Sequence, residues 1–216
     1  MTVQPYMFCG VAKFEPIDFW SFRHVKNVPN CEIYKFQISA KGSLGVKVDS
    51  NLVTEEMIPF ENIGSLSMCL KFRKIKVSLR VFTSGSVKIS GGIDRNSTDE
   101  SLNIFINDLF ENFKNDLGSM ISFKICNLNL SAKLNLVEEV SDLLPQIKED
   151  KEFFKIILPD WNTTKTSGRK DVYKFYKKIN EKYHLRINDK GIGQILGAKS
   201  IFEAQDLCNY FAKFCK

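Results

Sequence analysis

A short phrase occurs twice in this chain, and its two copies constrain how everything around them can fold. Phe82-Thr83-Ser84-Gly85-Ser86-Val87-Lys88-Ile89-Ser90-Gly91-Gly92 is answered, 106 residues on, by Asn188-Asp189-Lys190-Gly191-Ile192-Gly193-Gln194-Ile195-Leu196-Gly197-Ala198. Each copy reads as a strand, a tight glycine turn, a second strand ending at glycine, and then a capped amphipathic helix. A spacing of 106 residues is too long for a solenoid and suits a duplicated half-domain. The pattern predicts one pseudo-symmetric α+β domain.

The flanking periodicities recur in the same order. In the first half, residues 33–40, 65–72, 76–83 and 86–90 have strand composition, 52–60 suits a short helix, and Ser84-Gly85 supplies a hairpin turn. Leu102, Phe105, Ile106, Leu109, Phe110 and Phe113 then follow helical spacing. They stand behind Ser97-Thr98-Asp99-Glu100, which has the form of a capping box, and ahead of Gly118. In the second half, 122–128 predicts a strand, 136–144 a helix, and 153–158, 183–187 and 193–196 three further strands. A last helix turns Ala204, Leu207, Cys208 and Phe211 inward and opens on a second box, Ser200-Ile201-Phe202-Glu203.

The offset between halves drifts. Gln37 pairs with Asn127 at a spacing of 90, and Gly92 with Ala198 at 106, which puts about 16 extra residues near 163–182. Val172, Phe175, Tyr176 and Ile179 predict a short amphipathic helix in that insertion. The division that follows is an N-terminal extension over 1–30, a first repeat over 31–118, and a second over 119–216.

Charge is held unevenly. Residues 1–118 carry 14 Lys and Arg against 13 Asp and Glu, whereas 119–216 carry 17 against 12, giving most of the net +6. Lys165, Arg169, Lys170, Lys174, Lys177, Lys178 and Lys182 crowd the insertion, which makes it either a solvated face or a contact for an anion. No run of 18 apolar residues exists, so no membrane partner is expected. The six cysteines form no CxxC pair, and residues 1–9 lack the pattern of a signal peptide. Together these predict reduced thiols in an intracellular protein. The 2 histidines, with no Cys or carboxylate cluster at zinc-ligand spacing, leave no metal site. Residues 193–200 have the wrong spacing for a phosphate loop, and no G-x-S-x-G is present. The expectation is a non-enzymatic chain with no cofactor.

The matched residues resemble the TATA-box-binding protein family. That family carries an F-x-S-G-K phrase and a T-G-A-K phrase ahead of a helix in each of two repeats. Here Phe82-Thr83-Ser84-Gly85 with Ser90-Gly91, and Lys190-Gly191 with Leu196-Gly197-Ala198-Lys199-Ser200, stand in those places. Phe123-Lys124-Ile125-Cys126-Asn127 resembles the family's F-K-I-Q-N, and Ser43-Leu44-Gly45 falls where the family has T-L-G. The likeness spans residues 31–216 and, in an Asn-, Lys- and Phe-rich chain, looks most like versions encoded by large DNA viruses of eukaryotes.

The resemblance implies a saddle: a curved antiparallel sheet whose concave face straddles DNA in the minor groove, with helices on the convex face. Minor-groove readout separates A·T from G·C and otherwise relies on deformability. Phenylalanine wedges unstack base steps at the ends of the site. Carried over residue by residue, Phe82 is a wedge, with Ser65 or Leu66 as its partner; in the second repeat the wedges fall on Phe153 or Phe154 and on Asn188. Asn127 and Gln37 take the places of the central asparagines, and Lys71, Arg73, Lys74 and Lys76 are placed to meet phosphates. The implied partners are double-stranded DNA of an AT-rich promoter and a B-type initiation factor or RNA polymerase subunits. The implied place of action is the nucleus or a viral factory in the cytoplasm. The rival expectation is an interaction module that keeps the fold without binding DNA, since Asn188 replaces an aromatic wedge.

Overall fold

The computed structural model describes residues 2–17, 28–40, 47–49, 63–159, 172–177 and 183–215. The chain divides into two compact units: one comprising Phe8–Ile93 and Glu100–Ile125, the other Met1–Met7, Asp94–Asp99 and Cys126–Lys216.

The first unit takes β1 (Thr2–Lys13) from Phe8 onward, β2 (Cys31–Ala40), β3 (Lys47–Asp49), β4 (Ile63–Phe72), β5 (Ile75–Phe82) and β6 (Ser86–Gly92), with helices α1 (Asp99–Asn112) from Glu100 onward and α2 (Lys114–Leu117). Its strands lie in the order β3-β2-β4-β5-β6-β1, and the pairs from β3 through to β6 are antiparallel. Strict alternation makes this sheet two-faced. Along β5, Val77, Leu79 and Val81 are buried while Lys76, Ser78 and Arg80 are exposed. The buried face takes α1: Phe8 and Phe72 meet the Phe105 ring at 6.3 and 5.3 Å, and Phe14 meets Phe110 at 5.2 Å. Each such side chain contributes roughly 1.5–3 kcal/mol by leaving water. The other face carries no described helix.

The second unit takes β7 (Ser122–Lys133) from Cys126 onward, then α3 (Val140–Glu149), β8 (Phe153–Ile157), β9 (Tyr173–Lys177), β10 (His184–Ile187), β11 (Ile192–Ala198) and α4 (Ile201–Phe211). Its strand order is β7-β11-β10-β9-β8, antiparallel throughout. Phe211 of α4 packs on Phe175 at 4.8 Å and on Phe153 at 6.4 Å. The start of α4 is fully capped. Ser200 Oγ accepts from the Glu203 N–H at 3.0 Å, and the Glu203 carboxylate accepts from the Lys199 N–H at 2.9 Å. Asp99 adds its carboxylate, accepting from the N–H groups of Ile201 and Phe202 at 2.7 and 3.2 Å.

The repeated phrase has the same hydrogen bonds in both units. Gly85 (φ 76°) donates to the Phe82 carbonyl at 3.0 Å, and Gly191 (φ 71°) donates to that of Asn188 at 3.0 Å. The carbonyl of Gly85 accepts from the Phe14 N–H at 2.9 Å; that of Gly191 accepts from the Leu134 N–H at 2.8 Å. These paired bonds make β1 the counterpart of β7, with Phe14 answering Leu134.

That correspondence and the strand assignments correct three expectations. Residues 2–13 are a strand beside β6, not a tail lacking a counterpart. Pro5 and Gly10 mask its alternation, yet Phe8, Gly10 and Ala12 are buried in turn, and Gly10 leaves room for the Phe123 ring. Counting from Phe14 and Leu134, Asn127 answers Met7 on β1, whereas Gln37 lies on β2. The amphipathic helix expected around Phe175 is the strand β9 instead: Tyr173 and Phe175 are buried while Lys174 and Tyr176 turn to the other face. The rest of that insertion, with Lys165, Arg169, Lys170, Lys178, Lys182 and Ile179, lies outside the described residues, as do the expected helix over 52–60 and the Ser43-Leu44-Gly45 phrase.

Candidate nucleic-acid interface

In the first unit the uncovered sheet face is basic. Lys13, Lys35, Lys71, Lys76, Arg80 and Lys88 all lie on it, and Glu32 is the carboxylate among its described side chains, 3.9 Å from Lys71. Lys13 Nζ donates to Ser86 Oγ on the same face. Phe82 sits among these charges at the end of β5, half-buried. The Arg80 guanidinium lies 5.3 Å and the Lys88 ammonium 5.6 Å from its ring centre. Arg80 is held by donating Nε–H to Ser65 Oγ at 3.0 Å, and Ser65 is the residue directly across from Phe82.

The corresponding face of the second unit has the same sign. Lys133 on β7, Lys155 on β8, Lys174 on β9 and Arg186 on β10 lie there, with no carboxylate among the described residues of these strands on that side. Between them Tyr176 and His184 face each other across β9 and β10, rings stacked at 4.6 Å and 25°, with Lys155 Nζ 5.8 Å from the tyrosine ring. Burial, then the charges of Lys174 and Arg186, hold the His184 imidazole below its ordinary pKa. On β7, Asn127 Oδ1 accepts from the Gly197 N–H at 2.9 Å, at the bulge in β11, which commits its oxygen and leaves the amide nitrogen as a donor. Its neighbour Asn129 is 9% exposed, and its Oδ1 has no partner among the described residues.

The residues singled out from the sequence fare differently. Phe82 stands on the open face; Leu66 and Phe153 do not. Leu66 is fully buried, and Phe153 packs among Phe175, Tyr210, Phe211 and Phe214, so both fill core and are unavailable as wedges. The side chains of Phe154 and Lys177 lie outside the described residues. Asn188 is a turn former: its Oδ1 accepts from the N–H groups of Lys190 and Ile192 at 3.1 and 3.0 Å. Gln37 pairs opposite Ser67 and is half-buried. Lys71 and Lys76 are outward, opposite one another. Arg73 and Lys74 form the turn between β4 and β5, with φ of 46° and 68°, and Arg73 is engaged by Asp108 at 2.8 Å. Lys174 is on β9 rather than in a helical insert.

Sequence reasoning missed Arg80, Lys88, Lys155, Tyr176, His184 and Arg186. For Arg80, His184 and Arg186 the signal was present as alternation: Lys76-Val77-Ser78-Leu79-Arg80-Val81-Phe82 and His184-Leu185-Arg186-Ile187 each place charge or an aromatic ring opposite an apolar residue.

No family model matches the sequence, and no curated protein matches it. A solved structure described as Methanococcus jannaschii TBP superposes with a TM-score of 0.54, covering 100% of this chain and 98% of that one at 16% identity. The fold is that of a TATA-box-binding protein. A likeness of 16% identity speaks for the fold alone, and an archaeal neighbour lends no support to a viral origin. Within that fold, this chain sets histidine, tyrosine and arginine on β9 and β10, where its own sequence rather than the likeness must explain them.

Proposed function

We propose that this chain is a TATA-binding-protein-like factor that binds duplex DNA through the open face of its sheet, and that it acts in transcription initiation. The observation that carries the reading is the charge of that face: cations from several strands, nearly free of acids among the described side chains, with a half-buried phenylalanine set between two of them. Cations on a surface that also offers an apolar ring suit a phosphate backbone beside a base step. Contact in the minor groove of an AT-rich promoter follows from this reading, with Phe82 as a wedge and Asn127 donating to groove acceptors. Gln37, Lys71, Arg73, Lys74 and Lys76 would flank it, and the basic insertion would meet phosphate or a B-type factor or polymerase subunit. Residues 31–118 and 119–216 remain the proposed repeats, with β1 completing the first.

The interaction-module reading has its own support in Leu66, Phe153 and Asn188, three wedge candidates spent on core and turn. Electrophoretic mobility shift with AT-rich and GC-rich duplexes separates the two. The DNA-binding reading expects the AT-rich duplex to shift at lower protein concentration, and Phe82→Ala to weaken that shift and reduce the bend. Absence of any shift at low salt would overturn it and leave the interaction module.

A further inference from the structure

The Tyr176–His184 stack is more than a cross-strand packing pair. Packing alone would be served by any aromatic or β-branched partner opposite Tyr176, whereas here a titratable ring is placed among the side chains of Lys155, Lys174 and Arg186. Among the described residues, the charged and titratable groups facing His184 are Lys174 and Tyr176 from β9, Arg186 on its own strand, and Lys155 from β8 beyond the tyrosine. From β11 come Leu196, directly opposite, and Gln194, neither of them charged. No carboxylate on these strands neutralises the group among the described residues. Among the described residues the cluster is thus cationic and open to an anion.

We infer that the cluster of Lys155, Lys174, Tyr176, His184 and Arg186 is a proton-linked contact for the DNA phosphate backbone, in which seating of a phosphate beside the Tyr176–His184 stack is coupled to proton uptake by the imidazole. The inference rests on the DNA-binding reading above. In the free protein, half-burial and the neighbouring cations oppose the imidazolium. A phosphate supplies the missing negative charge and reverses that bias, so binding takes up a proton. The sign follows: acidification strengthens DNA binding while weakening the unliganded fold. Uptake of one proton changes affinity by at most about tenfold per pH unit, and part of that range is reached near the histidine pKa.

The test is anisotropy of a labelled AT-rich duplex titrated with the full chain at fixed ionic strength between pH 8.0 and 5.5. Parent protein is expected to bind about fivefold more tightly at the acid end. His184→Gln should lose the pH dependence, with the same ratio of affinities at pH 5.5 and pH 8.0 to within about twofold. Lys155→Gln, a change at an exposed side chain, should lower the slope of log affinity against log salt by about 0.9. Circular dichroism of each variant confirms that it is folded. A pH-independent parent, or a His184→Gln protein that keeps the parent's dependence, overturns the inference and leaves DNA binding standing. Failure of the parent to bind at any pH overturns both. Tighter capture of a poly-glutamate peptide than of the duplex would assign the cluster to an acidic protein partner and overturn it likewise.

Discussion

Phe82 shows how a single position decides which face of a sheet a residue occupies. Ser65 is its direct cross-strand partner, and Leu66, one residue on, points into the core. A strand changes face at every residue, so assigning the partner to 65 or 66 is the difference between the open surface and the hydrophobic interior. Phe82 was legible because its Ser-Gly turn fixes it locally. Leu66 and Phe153 were misplaced because a matched phrase gives position along a strand without giving its pleat. Local chemistry also marks a strained site: Arg73 and Lys74 both adopt left-handed backbone in a two-residue turn that favours Asn-Gly. Arg73 is engaged by Asp108, whereas no ion pair among the described residues holds Lys74. Lys74→Gly is therefore expected to raise stability by about 1 kcal/mol. An unchanged urea midpoint would show that the turn carries no such strain.

Among the elements, the glycine hairpin turns and the cap of α4 carry the sharpest stability predictions. A Cβ on Gly85 would stand 2.1 Å from the Phe14 carbonyl oxygen, and one on Gly191 would stand 2.6 Å from that of Leu134, both at positive φ. Gly85→Ala should cost about 3 kcal/mol and Gly191→Ala somewhat less, because both must move backbone rather than a flexible side chain. Equal, near-zero losses in chemical denaturation would contradict the geometry. The cap of α4 depends on Asp99, distant in sequence, as well as on its own box. Asp99→Ala should cost about 1–2 kcal/mol and Asp99→Asn less, since the amide still accepts hydrogen bonds without the charge that favours a helix N-terminus. Thermal melts that leave Asp99→Ala at the parent value would remove that role. The hairpin turns and the local part of the cap were legible, being written in neighbouring residues. β1 and β9 were not. Proline and glycine hide the alternation of β1, and Tyr173-Lys174-Phe175-Tyr176 satisfies a helical count while its burial alternates. Asp99 was beyond reach for another reason: its partners lie 102 and 103 residues away.

At the scale of the whole molecule, the net charge of +6 understates the open faces, because among the described side chains the acids other than Glu32 are placed elsewhere. The sequence drew attention to a basic insertion, yet Lys174 within it belongs to β9, so deleting 163–182 would remove a strand along with the charge. Point neutralisation is the cleaner probe. Lys88 and Lys133 are both exposed, one on the open face of each unit. Each phosphate contact releases counterions and steepens the dependence of log affinity on log salt by about 0.9. Lys88→Gln and Lys133→Gln should therefore each flatten that dependence by about 0.9, and the double variant by about 1.8. Additivity is expected only when both units engage one duplex, since a unit that stays off the DNA has no counterions to release. A slope that changes for Lys88→Gln alone would confine DNA binding to the first unit, whose Phe82 stands between two cations, and would assign the open face of the second to another partner. A slope unmoved by either change would place the DNA elsewhere on the protein.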